Sequence, residues 1–210
     1  MTRRTRVDPW GDLHAVDARG LFTGNRGSLV EESGAVVRHH RSSTLWITCL
    51  TEFRGHRQPL ADPHRWTPIF FLDEAVALAA GHRPCAYCRR ADYEAYRSAL
   101  AGRDPRPSAL ELDRRLAGER LRRGRGLSRA ADRPLWQASA ESLPDGTVVL
   151  DDGRQPCLLV AGTLRGFTFD GWTAVTAPPP IVDVLTPPTS VAALSGGYRV
   201  LLHSSVWRRR

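Results

Sequence analysis

The helix-forming stretches of this chain are bunched in its middle, and strand-like runs occupy both ends. Helices that do not alternate with strands exclude a chain of βαβ units, so an α+β fold with antiparallel strands is expected. Val16 to Val37 hold two turn clusters, Thr23-Gly24-Asn25-Arg26-Gly27 and Glu31-Glu32-Ser33-Gly34, between short apolar runs. Thr44 to Leu50 is the clearest strand, rich in β-branched and aromatic residues. Asp73 is placed to cap a short helix over Glu74 to Ala80, and Gly81 stops it. A second helix is expected from near Cys85 to Leu100, with Pro84 at its entrance. A third is suggested by Ala109 to Leu116, followed by a loop at Gly124-Arg125-Gly126. From Leu143 to Val184 the pattern is β again, with turns at Pro144-Asp145-Gly146-Thr147 and Asp151-Asp152-Gly153. Val184 to Leu194 reads as a strand leading into a short helix. The chain divides accordingly into residues 1–101, an arginine-rich helix and linker over 102–134, and a small β-rich unit with a short helix over 135–210.

The formal net charge is +8, and all 30 basic residues are arginine. Without lysine there can be no Schiff base, no lysine general base and no P-loop lysine. Guanidinium groups pair bidentately with phosphate, which points to nucleic acid as a partner. Codon usage alone, with the arginines merely solvated, is the competing explanation. No apolar run approaches the roughly 18–20 residues of a membrane helix. The basic start, Met1 to Arg6, is not followed by a hydrophobic signal segment, so a cytoplasmic chain with no membrane partner is expected.

Cysteines stand at 49, 85, 88 and 157. Cys157 lies in an apolar strand-like run and reads as a buried small hydrophobe. Cys85-Ala86-Tyr87-Cys88 sets two thiols three residues apart at a helix start, a spacing with which both can bind one tetrahedral zinc ion. The helix N-terminus and the nearby Arg83, Arg89 and Arg90 favour the thiolate form. A thioredoxin-like redox pair would follow a buried strand in a βαβ unit, whereas this one follows a helix and a tight turn. A pair of reduced structural thiols without metal stays open.

The segment from Phe70-Phe71 through the alanine-rich helix to Gly81-His82-Arg83-Pro84-Cys85-Ala86-Tyr87-Cys88-Arg89 resembles the second half of the Ada-type zinc domain, a DNA methylphosphotriester repair module. With Leu45 to Thr51 as the preceding strand, the likeness covers roughly residues 45–97. It implies zinc, DNA binding and a Cys-x-x-Cys module of helix, turn and helix start between β-rich units. The family's upstream Cys-x-x-x-Cys pair is missing here, so its methyl-acceptor role passes to no residue of this chain. His56 and His64 stand near the expected distance, and a Cys2His2 site of His56, His64, Cys85 and Cys88 is the expected ligand set. Cys49 competes, but strand residues usually pack inward. Over its full length the chain also looks like a set of short bacterial proteins, a likeness that carries no activity.

The DNA contact is expected on Arg83, Arg89, Arg90 and Arg97, beside Tyr87, Tyr93 and Tyr96, although one of the last two tyrosines is expected in the core. Gly24-Asn25-Arg26-Gly27 reads as a hairpin turn able to present an arginine to phosphate. Arg38-His39-His40-Arg41 lies on a strand whose neighbours face opposite ways, which disfavours joint ligation. The leading expectation is a nucleic-acid-binding protein, DNA more than RNA, associated with DNA repair or processing. One alternative is a nucleic-acid hydrolase, with His82, Asp92 or Glu94 beside His56 as acid and base groups. The other is a non-catalytic module that binds another anion or a protein.

Overall fold

A computed structural model describes residues 4–29, 44–57, 66–102, 105–120 and 133–208. The second turn cluster, Arg38 to Arg41, His64 and the loop at Gly124 to Gly126 lie outside these residues. Among the described residues the fold is α+β with two six-stranded sheets. The first contains β1 (Arg6–Val7), β2 (Leu13–His14), β3 (Phe22–Asn25), β4 (Ile47–Leu50), β5 (Ile69–Phe71) and β6 (Arg83–Pro84), in the order β2-β1-β5-β3-β4-β6. The second contains β7 (Trp136–Ser139), β8 (Val148–Leu150), β9 (Pro156–Val160), β10 (Thr163–Thr168), β11 (Gly171–Thr176) and β12 (Ile181–Val184), in the order β11-β10-β9-β8-β12-β7. Every pair in the second sheet is antiparallel. The first departs from the antiparallel expectation, because β1 runs parallel to β5 and β4 parallel to β6.

The helices are α1 (Glu74–Ala79), α2 (Arg90–Ala99), α3 (Ala109–Arg120) and α4 (Pro188–Ser195). Asp73 caps α1 by accepting from the Val76 N–H, as its position in the sequence suggested. All six residues of α1 are buried: Ala75, Val76, Ala77 and Ala79 pack into an apolar cluster that draws on both sheets, Leu78 into another with Tyr93, Tyr96 and Leu112, and Glu74 against Arg89. The first of these clusters joins Val7, Phe22, Ile69 and Phe71 to Val148, Leu158, Trp172 and Val206. The small side chains of α1 let it sit that close to its neighbours.

One strand lies where a turn was expected. Phe22–Asn25 is central in its sheet, paired to β4 on one side and β5 on the other. Gly24 belongs to a strand here for a packing reason: a Cβ at that position would stand 2.4 Å from Cε2 of Phe71. Arg26, which the turn would have presented to phosphate, is buried instead. Tyr93 and Tyr96 are both core residues, so burial claims two tyrosines where one was expected.

The arginines divide into two populations. Arg26, Arg83, Arg89, Arg120 and Arg133 are buried among the described residues. Arg133 donates to the carbonyls of Pro9, Trp10, Ala79 and Leu185, tying the end of α1 to both flanks of the molecule. Arg26 and Arg120 each lie over Trp46, at 4.1 and 4.0 Å from its ring centre. A planar five-donor fork can bridge several carbonyls at once, which an ammonium group on a flexible stem does less well.

Candidate metal centre and its cavity

Parallel pairing of β4 with β6 sets Thr48 opposite Pro84, and the Cys85 N–H donates to the Thr48 carbonyl at 3.0 Å. Cys49 and Cys85 therefore leave neighbouring chains side by side. The backbone then turns, with the Arg89 N–H donating to the Cys85 carbonyl, and Cys88 comes round to the same place before α2 begins. The three Sγ atoms lie within 4.8 Å of one another. A tetrahedral zinc ion with Zn–S bonds near 2.3 Å needs sulfurs about 3.8 Å apart. Three thiols at this spacing can hold a metal ion together.

Hydrogen bonding among the three thiols favours ionisation at Cys85. Hydrogen bonds from the Cys49 thiol, then from Cys88, hold the Cys85 thiol far below its ordinary value, and the N–H groups of Cys88 and Tyr87 add to the effect. The Tyr87 N–H is 3.4 Å from that sulfur. The same sharing, followed by burial, drives Cys49 strongly upward. A cluster that stabilises one thiolate before any cation arrives is prepared for a metal. Cys157 is far away in sequence and strand, and burial pushes its thiol up to about 11.

The thiols border a cavity of about 530 Å³. Its wall includes Ile47, Leu50, Phe53, Trp66, Phe70 and Tyr87, with Arg54, His56 and Arg57 among its polar members. None of the four aromatic rings is fully buried, and Tyr87 is 68% exposed. Phe53 and Tyr87 meet edge to face at 5.2 Å between ring centres. The Arg54 guanidinium stands over both, at 5.2 and 5.7 Å. A two-residue turn, Arg54-Gly55, carries this group: both residues have positive φ, and Phe53 and His56 exchange backbone hydrogen bonds across it. Arg57 donates through Nε to Glu52 at 2.7 Å, an exposed pair.

His56 lines this cavity but is not one of the three grouped ligands, and Cys49 occupies the place in the group that the sequence reading gave to histidine. The other sequence candidates fall elsewhere. Arg83 is buried, with a two-pronged bond to Asp113 through Nε and Nη2 at 2.8 and 2.9 Å. Arg89 is buried against Glu74 at 2.8 Å and Asp92 at 2.9 Å. Both guanidinium groups are thus withheld from any phosphate by carboxylates inside the fold. Arg90 is exposed and pairs with Glu94, and Arg97 is held by Glu94 and the Pro107 carbonyl.

The acid and base candidates are similarly committed. His82 is fully buried beside Trp46 and Phe71, and its Nε2 accepts from Arg26 at 3.1 Å. Burial, then the charges of Arg26 and Arg120, hold it well below the ordinary imidazole value, so it is neutral and out of reach of substrate. Asp92 and Glu94 serve ion pairs on α2. Among the described residues, no helix is long and apolar enough to cross a membrane.

No family model, curated protein or solved structure matches this chain.

Proposed function

We propose that the chain is a zinc-dependent nucleic-acid-binding protein, directed to DNA more than RNA and associated with DNA repair or processing. Zinc is held by Cys49, Cys85 and Cys88, and the contact surface is the mouth of the adjoining cavity. The observation that carries this reading is the meeting, in one cavity, of three thiols, four accessible aromatic rings and two exposed arginines. Thiolates at this spacing suit zinc better than the hard cations that prefer oxygen. The resemblance to the Ada-type domain supports the same reading. Of the segments that carry the likeness, Phe70 and the Cys-x-x-Cys line this cavity, and Cys49 supplies a third sulfur from upstream. His56, which lines the same cavity, would be the candidate for a fourth ligand.

Two measurements test this. Elemental analysis of the purified protein is expected to give one zinc per chain; metal-free protein whose stability ignores chelator would sink the zinc assignment. Salt titration of DNA binding is expected to show a log–log slope lessened by roughly two on replacing Arg54 and Arg57 with glutamine, at about 0.9 per duplex phosphate contact. Absence of binding to DNA or RNA at low salt would reject the function and favour the non-catalytic module for another anion or a protein.

A further inference from the structure

Resting on that reading, we infer that the cavity beside the thiols receives one unstacked nucleotide of a single strand, its base among the aromatic rings and its phosphate on Arg54 and Arg57. A volume of about 530 Å³ falls in the range of small-molecule sites, about 300–1,000 Å³, and is more than a side chain or a few waters require. The lining has the two chemistries a nucleotide needs. Phe53, Trp66, Phe70 and Tyr87 offer apolar and π surface that the fold leaves accessible, although its core had room for Trp46, Tyr93 and Tyr96. Contiguous apolar surface left open within a polar rim marks a ligand site.

The rim is positive on the same side. Arg54 pairs with no carboxylate among the contacts described, and lies over Phe53 and Tyr87, so a base stacked there would also meet its guanidinium. Arg57 keeps its terminal nitrogens beyond the single bond from Nε to Glu52. Asn25, from β3, lines the cavity; its Oδ1 accepts from the Gly27 N–H, which leaves the amide NH2 to meet a base edge, whereas the Thr23 hydroxyl is spent on the Ile69 carbonyl. A base inside a duplex is stacked on both faces and cannot enter such a cavity without leaving the helix. An unpaired strand has no such barrier, so single strands are the favoured source, and the chain's net charge of +8 favours a polyanion over a free nucleotide.

The test uses the zinc-loaded full-length protein and three probes at low salt: a labelled single-stranded 12-mer of DNA, the same sequence as a duplex, and adenosine monophosphate as competitor. The single strand is expected to bind at least tenfold more tightly than the duplex. Tyr87→Ala, at a residue too exposed to hold the fold together, is expected to weaken the single strand about five- to a hundredfold, as loss of one stacked base does, and to spare the duplex. Arg54→Gln should weaken both and lessen the salt slope. Equal affinity for both forms, unmoved by Tyr87→Ala, overturns the cavity assignment while nucleic-acid binding itself survives. Binding of the mononucleotide alone overturns the strand and makes this a small-molecule site. No binding of any probe brings down the functional reading together with the inference.

Discussion

The two sheets have equal strand numbers and are held together differently. The second is built of antiparallel pairs, mostly from neighbouring strands, and its central strands are buried in apolar surroundings on both faces, Val148 and Leu158 in one cluster and Val149, Leu159, Val182 and Val184 in another. The first is stitched by two parallel, long-range pairings, and charge is buried in and around it. Arg83 with Asp113, Arg89 with Glu74, and His82 with Arg26 all lie inside. The thiols and the accessible rings belong to the first sheet or the turns next to it. Local hairpins make a stable support from hydrophobic pairs alone. Joining distant segments brings unlike chemistry together, and buried polar groups must then be satisfied one by one.

The contrast can be broken most forcefully at Asp113. Asp113→Ala leaves Arg83 charged and unpaired in the interior and is expected to cost about 3–5 kcal/mol in denaturant unfolding. Leu158→Ala in the second sheet should cost about 2–5 kcal/mol by cavity formation, with no change in metal content. An Asp113→Ala cost below that of an ordinary surface change would erase the distinction between the regions. Next in size is the metal. Zinc at a hundredfold excess over its dissociation constant should stabilise the protein by about 2.7 kcal/mol, and Cys49→Ser should abolish that gain while Cys157→Ser keeps it.

Acid provides a third, smaller probe. His82 is neutral in the fold, whereas the unfolded chain takes up a proton near pH 6.5. The stability it contributes is present above that pH and is lost as pH falls below it, by at most about 1.4 kcal/mol per pH unit. His82→Gln should flatten this part of the stability profile, and a mutant profile parallel to wild type would show that another group titrates. The smallest effect is expected at Arg90, whose exposed pair with Glu94 should let Arg90→Gln through within about 0.5 kcal/mol. Arg89→Gln, one position earlier, is not equivalent: it strips Glu74 of its buried partner.

Local signals in the sequence were reliable wherever neighbouring residues decide the structure. Asp73, the alanine run and Gly81 define α1, whose observed span ends one residue short of the expected Ala80. Asp151-Asp152-Gly153 turns the β8–β9 hairpin, whereas Pro144 to Thr147 forms a turn that closes no hairpin, because β7 and β8 each pair with β12 instead of with each other. Gly24 misled because its neighbours spell a turn, and only Phe71, far along the chain, explains a glycine inside a strand. The Cys-x-x-Cys pair is visible from its spacing, whereas Cys49 reads in the sequence as an inward-facing strand residue. Its one available signal was its place at the end of a strand just before a Gly-containing turn. Arginine presents a similar difficulty: a count and a charge cannot tell Arg83, clasped by Asp113, from Arg54 at the cavity mouth.

The parallel pairing of β4 with β6 has a consequence in time as well as in space. Cys85 and Cys88 are brought near each other by a single turn of chain, available even to a partly folded polypeptide. Cys49 joins them only after a long loop containing β5 and α1 has closed, and such non-local pairings are slow to form. A metal ion that meets the chain early finds two sulfurs; one that meets it late finds three. Tight retention of a metal ion by all three sulfurs would thus be a mark of completed topology, because a chain without the β4–β6 pairing offers only two of them.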